Sequence, residues 1–193
     1  IEMRSLDINP FERVGIDLDT IHFLEVFLIY CTLNRSPPMK NGEIEEIEYN
    51  DLLVATKGRE PGLGLNYNRK TITLQNWANQ ILDEMMVTAG LLDNIMTNYT
   101  NIVEKFRVQI MDSEQTLSAI LLNKILTEKP SILELGTTLG EAYKNHYTKM
   151  QPSENSEWCL LEKESFDSKK RQIELEQGDN RSFDEFVQEY FNH

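Results

Sequence analysis

The chain has 193 residues, of which 40% are hydrophobic, and it carries a formal net charge of −13. This length and apolar content suffice for a buried core, and the charge is typical of a soluble acidic domain. Nucleic acid and anionic membranes are bound through clustered lysines and arginines, which are scattered here, so the chain is predicted to bind neither. The longest apolar run, Phe23 to Cys31, is interrupted by Glu25 and is too short to span a bilayer.

The opening residues, Ile1 to Phe11, are predicted to form a β-strand. Alternate side chains of a strand share a face, so Glu2 and Arg4 are expected to point to the same side. Glutamate is a hard oxygen ligand for Mg²⁺, and arginine is a planar donor suited to phosphate. On pattern alone the pair is much more typical of a cross-strand salt bridge, and the metal and phosphate interpretation depends on further evidence.

Two turn-forming residues, Asp7 and Asn9, precede Pro10 and are predicted to end the strand. A helix with N-cap candidates at 17–20 follows, and Pro37-Pro38 stops it. Because its residues are apolar nearly all round, it is predicted to be the buried centre of the domain. The acidic stretch 43–49 is expected to be a solvated helix face or an exposed turn.

The segment Gly58 to Gly64 is rich in glycine and proline, and it is predicted to be a loop between helices. It contains neither of the glycine patterns that bind phosphate groups. Arg59 remains an unproven candidate for an anion contact there.

The rest of the chain is predicted to be helical, which gives a mainly α domain of six to eight helices. Apolar spacing indicates a long helix from Leu74 to Leu92, a second around 103–110 after a break near 97–100, and a third over 117–125 that Pro130 ends. Capping-box spacing marks helix starts at Ser131 and Ser182. Residues 151–157 are expected to be a linker, and 162–177 a charged helix.

Cysteine and histidine give no local sign of catalysis. Cys31 and Cys159 are far apart and in different predicted helices, which favours reduced thiols, and Cys31 is expected to act as a small hydrophobic residue. The histidines, His22, His146 and His193, lack metal-binding spacing, so a zinc site is not expected.

The stretch Glu2-Met3-Arg4-Ser5-Leu6-Asp7-Ile8-Asn9-Pro10-Phe11 resembles bacterial glutamate-cysteine ligase of the proteobacterial type. Three later stretches resemble the same family in the same order. They are Gly58-Arg59-Glu60-Pro61-Gly62-Leu63, Leu117-Ser118-Ala119-Ile120-Leu121 and Glu141-Ala142-Tyr143-Lys144-Asn145. The resemblance is strongest over the first sixty residues and thin after Gln151.

This resemblance implies the C-terminal portion of an enzyme whose complete fold is α+β and similar to glutamine synthetase. Residues 1–15 would end the catalytic sheet, 16–150 would form a helical domain, and 151–193 would be a charged helical extension packed on it. The missing N-terminal part would be the partner that supplies the other metal ligands and the substrate pockets. This chain alone is therefore expected to be inactive.

The resemblance also implies a cytoplasmic enzyme that joins glutamate to cysteine, with ATP as co-substrate and Mg²⁺ or Mn²⁺ as cofactor. Glu2 would be a metal ligand, and Arg4 would contact the phosphoryl group as it moves to the γ-carboxylate of glutamate. The cysteine amine would then attack the acyl phosphate. The alternative is a non-catalytic helical interaction module in which Glu2 and Arg4 form a salt bridge.

Overall fold

The computed structural model describes residues 6–128, 130–150, 156–179 and 181–192. These residues form eight α-helices, one 3₁₀ helix and one antiparallel hairpin, which confirms the prediction of a mainly α fold. In chain order the elements are α1 (Leu18–Leu33), α2 (Glu43–Lys57), β1 (Gly64–Tyr67), β2 (Lys70–Thr73), α3 (Leu74–Leu92), α4 (Tyr99–Met111), the 3₁₀ helix (Ser113–Gln115), α5 (Leu117–Glu128), α6 (Ile132–Lys149), α7 (Ser156–Gly178) and α8 (Phe183–Phe191).

The helix starts follow from short polar side chains that accept hydrogen bonds from free backbone N–H groups. Asp17 caps α1 by accepting from the Thr20 N–H at 2.6 Å. Both predicted capping boxes are confirmed. Ser131 and Glu134 exchange bonds of 3.1 and 2.7 Å at the start of α6, and Ser182 and Glu185 do the same at α8.

The core lies where α1, α3 and α4 meet. Val26, Met85 and Val103 are fully buried there, one from each helix. The rings of Phe23 and Phe106 stack beside them with centroids 4.2 Å apart. Burial of large apolar side chains is the main source of stability in a domain of this kind, so these three helices hold the fold together.

The prediction that α1 is buried all round is wrong for the part of the chain that the structure describes. Val26 is the one fully buried residue of α1, while Leu18 and Leu33 are 64% and 70% exposed. Cys31 is exposed as well, so it does not serve as a core residue here. The helix packs on α3 and α4, most of its other apolar side chains are half-buried, and Leu18, Ile21 and Leu33 are exposed.

The hairpin β1–β2 was not predicted from the sequence. Gly64 pairs with Thr73 and Tyr67 with Lys70, and the two turn residues Asn68 and Arg69 have φ angles of 52° and 61°. This left-handed geometry suits a two-residue hairpin turn. Because the hairpin leads directly into Thr73, which caps α3, it sets the position at which the longest core helix begins.

The chain divides into two compact units, residues 1–143 and 144–193. The first contains the core. In the second, α7 and α8 have no buried side chain among the described residues. The predicted linker lies mostly outside the described residues, and the three predicted domain boundaries remain predictions. Nowhere in the described chain is there a helix with the length and hydropathy needed to cross a membrane.

Candidate functional site

The two predicted site residues, Glu2 and Arg4, lie outside the residues that the structure describes. The nearest described part of the chain is the segment that follows them, 6–17. Residues 6–9 adopt no regular secondary structure, and Pro10 and Phe11 lie in a turn. The predicted strand therefore does not extend over the described residues 6–11. Pro10 has no N–H to donate to a neighbouring strand, which suits its place in the turn.

Residues 9–15 form a closed loop, here named the Asn9 turn. The Asn9 N–H donates to the Gly15 carbonyl at 2.8 Å, and the Gly15 N–H donates to the Glu12 carbonyl at 3.0 Å. The side-chain oxygen of Asn9 also accepts from the Phe11 N–H at 3.0 Å. Asn9 thus forms the turn that the sequence predicts, by the usual chemistry of asparagine beside the backbone.

Gly15 closes the Asn9 turn in a conformation that favours glycine. Its φ is +78°, and a Cβ at this position would lie 3.1 Å from Cγ2 of Ile8. Ile8 immediately precedes the turn and Gly15 ends it, so this close approach brings the two ends of the turn together. Two residues later Asp17 caps α1, so the whole segment leads directly into a core helix.

A long-range hydrogen bond joins the Asn9 turn to α6. The hydroxyl of Tyr143 donates to the Pro10 carbonyl at 2.7 Å, across 133 residues of sequence, and the bond is partly buried. Both residues belong to the first compact unit. Sequence reasoning missed this contact, because no local pattern connects a helix tyrosine with a turn so distant in the chain.

Arg59, the candidate anion contact, takes part in an ion pair in this structure. Its Nη2 lies 2.9 Å from Oε1 of Glu114, which belongs to the 3₁₀ helix. Arg59 also lines a cleft of about 500 Å³ between the loop 58–63 and helices α3 and α4. Arg59 therefore joins the loop to the 3₁₀ helix, and its role as an anion contact remains a prediction.

The shifted carboxyl pKa values belong to helix ends. The backbone N–H and hydroxyl of Ser131 lower the pKa of Glu134, and those of Ser182 do the same for Glu185. The hydroxyl and backbone N–H of Thr100 lower the pKa of Asp93. In each case hydrogen bonds to the ionised form favour it. These groups stabilise caps and give no sign of a proton-transfer site.

Cysteine and histidine do not gather into a site in the described chain. Cys31 and Cys159 are both exposed and free. Within the described ranges no group of three or more histidine, cysteine, aspartate or glutamate side chains is placed to hold a metal ion. His193 lies outside those ranges.

Comparison with known proteins shows what the segment before the Asn9 turn, and the turn itself, are similar to. The profile of the family described as glutamate-cysteine ligase matches residues 1–54, which include Glu2, Arg4 and the whole turn. The glutamate-cysteine ligase of Pseudomonas aeruginosa (strain LESB58) is 36% identical over 192 residues, which cover 98% of this chain. The corresponding protein of Shewanella oneidensis is 30% identical and covers 99% of the chain. Over nearly its whole length this chain is thus similar to glutamate-cysteine ligases.

A solved structure shows the same similarity. The glutamate-cysteine ligase of Francisella tularensis, solved in complex with AMP, superimposes with a TM-score of 0.81 at 26% identity, over 98% of this chain and 37% of that chain. The chain spans about 36% of the length of the curated ligases that it matches. The similarity thus confirms the family resemblance of the sequence and covers the helices as well as the segment of Glu2 and Arg4.

Proposed function

We propose that this chain is part of an ATP-dependent ligase that joins the γ-carboxylate of L-glutamate to the amine of L-cysteine, the first step of glutathione biosynthesis. The observation that carries the proposal is the match of residues 1–54 to the glutamate-cysteine ligase family, within a similarity that covers 98% of the chain. The ligase acts in the cytoplasm and passes through a γ-glutamyl phosphate. Its glutamate and cysteine pockets lie largely in the rest of the protein.

Glu2 and Arg4 are the residues of this chain that we assign to the reaction. The carboxylate of Glu2 would bind Mg²⁺, or Mn²⁺, since a hard divalent cation prefers such oxygen ligands. The bound metal would neutralise charge on the phosphate oxygens of ATP. The guanidinium of Arg4 would donate to the transferring phosphoryl group, where two parallel N–H groups match two oxygens. The AMP held by the Francisella tularensis ligase supports the use of an adenine nucleotide.

The test is to assay the complete protein that carries this chain for γ-glutamylcysteine and ADP formation. Replacing Arg4 by Ala is expected to lower kcat about 100-fold or more, because its contact strengthens as the phosphoryl group transfers. Arg4→Lys is expected to recover little of the loss, since an ammonium cannot donate in parallel. Glu2→Gln is expected to raise the Mg²⁺ concentration needed for half-maximal rate and to leave the melting temperature without nucleotide unchanged.

Arg35→Ala is the matched control, because it removes an exposed arginine that follows α1 and lies outside the Asn9 turn. Its kcat and Mg²⁺ requirement should equal those of the unmodified protein. A Glu2→Gln variant with a lower melting temperature and the original Mg²⁺ response would show that Glu2 and Arg4 form a structural salt bridge. A complete protein that forms no ADP from glutamate, cysteine and ATP would favour the helical interaction module.

A further inference from the structure

We propose that Asn41 is a site of spontaneous deamidation, a reaction that converts its side-chain amide into a mixture of aspartate and isoaspartate. Asn41 precedes Gly42, and this is the one Asn-Gly pair in the sequence. Both residues are exposed and lie in the turn that leads into α2. They lie outside the assigned reaction residues, so the proposal does not depend on the proposed function.

The reaction needs only the chain itself and water. The backbone nitrogen of Gly42 attacks Cγ of Asn41 and loses its proton, so a C–N bond forms, the bond from Cγ to the side-chain nitrogen breaks, and ammonia leaves. The attack is intramolecular, which favours it over attack by a separate molecule. Water then opens the five-membered succinimide ring at either carbonyl. One opening gives aspartate, and the other gives isoaspartate, whose backbone runs through the β-carbon.

The structure leaves the two reacting groups unconstrained. Among the described residues, none accepts a hydrogen bond from the Gly42 N–H, and none bonds to the side chain of Asn41. Gly42 has a φ of +89°, and the position that a Cβ would take has no atom within 4 Å. A glycine nitrogen is therefore open to its neighbour, since no side chain shields it. Residues 35–42 belong to no helix or strand, so no backbone ladder fixes Asn41 in one conformation.

Asn68 is the comparison that the chain itself supplies. It is exposed and borders the same open hollow as Asn41, at the turn of the hairpin. The residue after it is Arg69, whose Cβ crowds the backbone nitrogen. The Arg69 N–H also donates to Oε1 of Glu46 at 3.1 Å, so the nitrogen that would attack is already occupied. Asn68 is therefore expected to keep its amide where Asn41 loses its own.

Isoaspartate at position 41 would loosen the start of α2. The Glu43 N–H donates to the Lys40 carbonyl at 3.1 Å, and the Glu43 carboxylate accepts from the Lys40 N–H at 2.5 Å. One extra backbone atom between these residues disturbs both bonds. Gly42 supplies no side-chain cap in their place. The bonds from Asn50 to the hairpin begin two turns further along α2 and should persist.

The experiment is to incubate the complete protein that carries this chain at pH 6 and at pH 8, and to follow the peptides of Asn41 and Asn68 by mass spectrometry. The Asn41 peptide should gain the mass difference between a hydroxyl and an amino group, faster at pH 8 because the attacking nitrogen must lose its proton. Electron-transfer fragmentation should find both aspartate and isoaspartate. The Asn68 peptide should stay unchanged, and amide exchange at 43–46 should become faster in the modified fraction.

Two variants test the chemistry. Gly42→Ala is expected to slow the mass gain about tenfold or more, because a Cβ restricts the backbone and crowds the attacking nitrogen. Asn41→Gln keeps an amide and the glycine of the turn, and its longer side chain cannot close the five-membered ring, so position 41 should show no mass gain.

An Asn41 peptide that stays intact at pH 8, or equal rates at Asn41 and Asn68, would overturn the proposal. An undiminished mass gain at position 41 in Asn41→Gln would also overturn it. Deamidation without faster exchange at 43–46 would overturn the effect on α2.

Discussion

Asn50, on α2, is buried and completes the hydrogen bonding of the hairpin. Its amide nitrogen donates to the Asn66 carbonyl at 2.7 Å, and its amide oxygen accepts from the Asn66 N–H at 2.8 Å. An asparagine amide has the donor and the acceptor that a neighbouring strand would offer, so one side chain satisfies both polar groups of the strand residue. Among the residues that the structure describes, no other side chain of α2 makes two hydrogen bonds to the hairpin.

Asn50→Ala is therefore expected to destabilise the chain by about 1–3 kcal/mol, because it leaves the Asn66 N–H and carbonyl without their partners. Chemical denaturation followed by circular dichroism measures the change. Asn145→Ala is the control, since it makes the same substitution at an exposed position of α6 and should alter stability little. Equal effects of the two substitutions would show that the hairpin does not depend on Asn50.

Two core helices are connected through Asp93, which follows the last residue of α3. Its carboxylate accepts from the Thr100 hydroxyl at 2.6 Å and from the Thr100 N–H at 3.0 Å, in the first turn of α4. These bonds lower the pKa of Asp93. A carboxyl whose pKa is lower in the folded state adds stability above its unfolded pKa of about 3.9, and that stability is lost as the pH falls through the folded pKa.

Thr100→Val is expected to return the pKa of Asp93 towards its ordinary value, because it removes the hydroxyl donor and keeps the shape of the side chain. The pKa can be followed by carbon NMR of the carboxyl group. The difference in melting temperature between Thr100→Val and the unmodified chain should be largest near neutral pH and shrink at acidic pH. A difference in melting temperature that stays constant from pH 7 to pH 3 would contradict this role of the hydrogen bonds between Thr100 and Asp93.

At this scale the sequence predicts what is local. Ser131 and Ser182 lie three residues before the glutamates that complete their caps, so the spacing alone marks both helix starts. The hairpin was not predicted because its turn residues are Asn68 and Arg69, and the glycine that usually marks such a turn is absent from both positions. The prediction of a buried α1 was wrong, because the apolar residues of a helix show which surface could be buried. They do not show whether another element packs on that surface.

In the candidate site, too, the sequence predicts the local features and misses the long-range contact. The Asn9 turn was predictable, since Asn-Pro chemistry acts over two or three residues. The bond from Tyr143 to Pro10 was not, because it joins residues 133 apart and depends on the packing of the whole first unit. Glu2 and Arg4 were assigned through family resemblance, and their geometry lies outside the described residues.

The whole molecule combines one packed core with a second unit that buries little. Met85 is fully buried between α1, α3 and α4, whereas α7 and α8 have no buried side chain in the described ranges. Helices without tertiary packing are marginally stable in water, so the two units should differ in local stability. Amide hydrogen exchange, read segment by segment, can measure this difference in a single experiment.

Met85→Ala is expected to lower the unfolding free energy of the core by about 2–5 kcal/mol, since it removes a buried side chain and leaves a cavity. Exchange should accelerate in α1, α3 and α4, while α7 and α8, which are expected to exchange fast in the unmodified chain too, should not change. Met96→Ala is the control, because Met96 is 92% exposed and its loss creates no cavity. Protection lost equally from both units in Met85→Ala would mean that the chain unfolds as one cooperative body, and the second unit would then draw its stability from the same core.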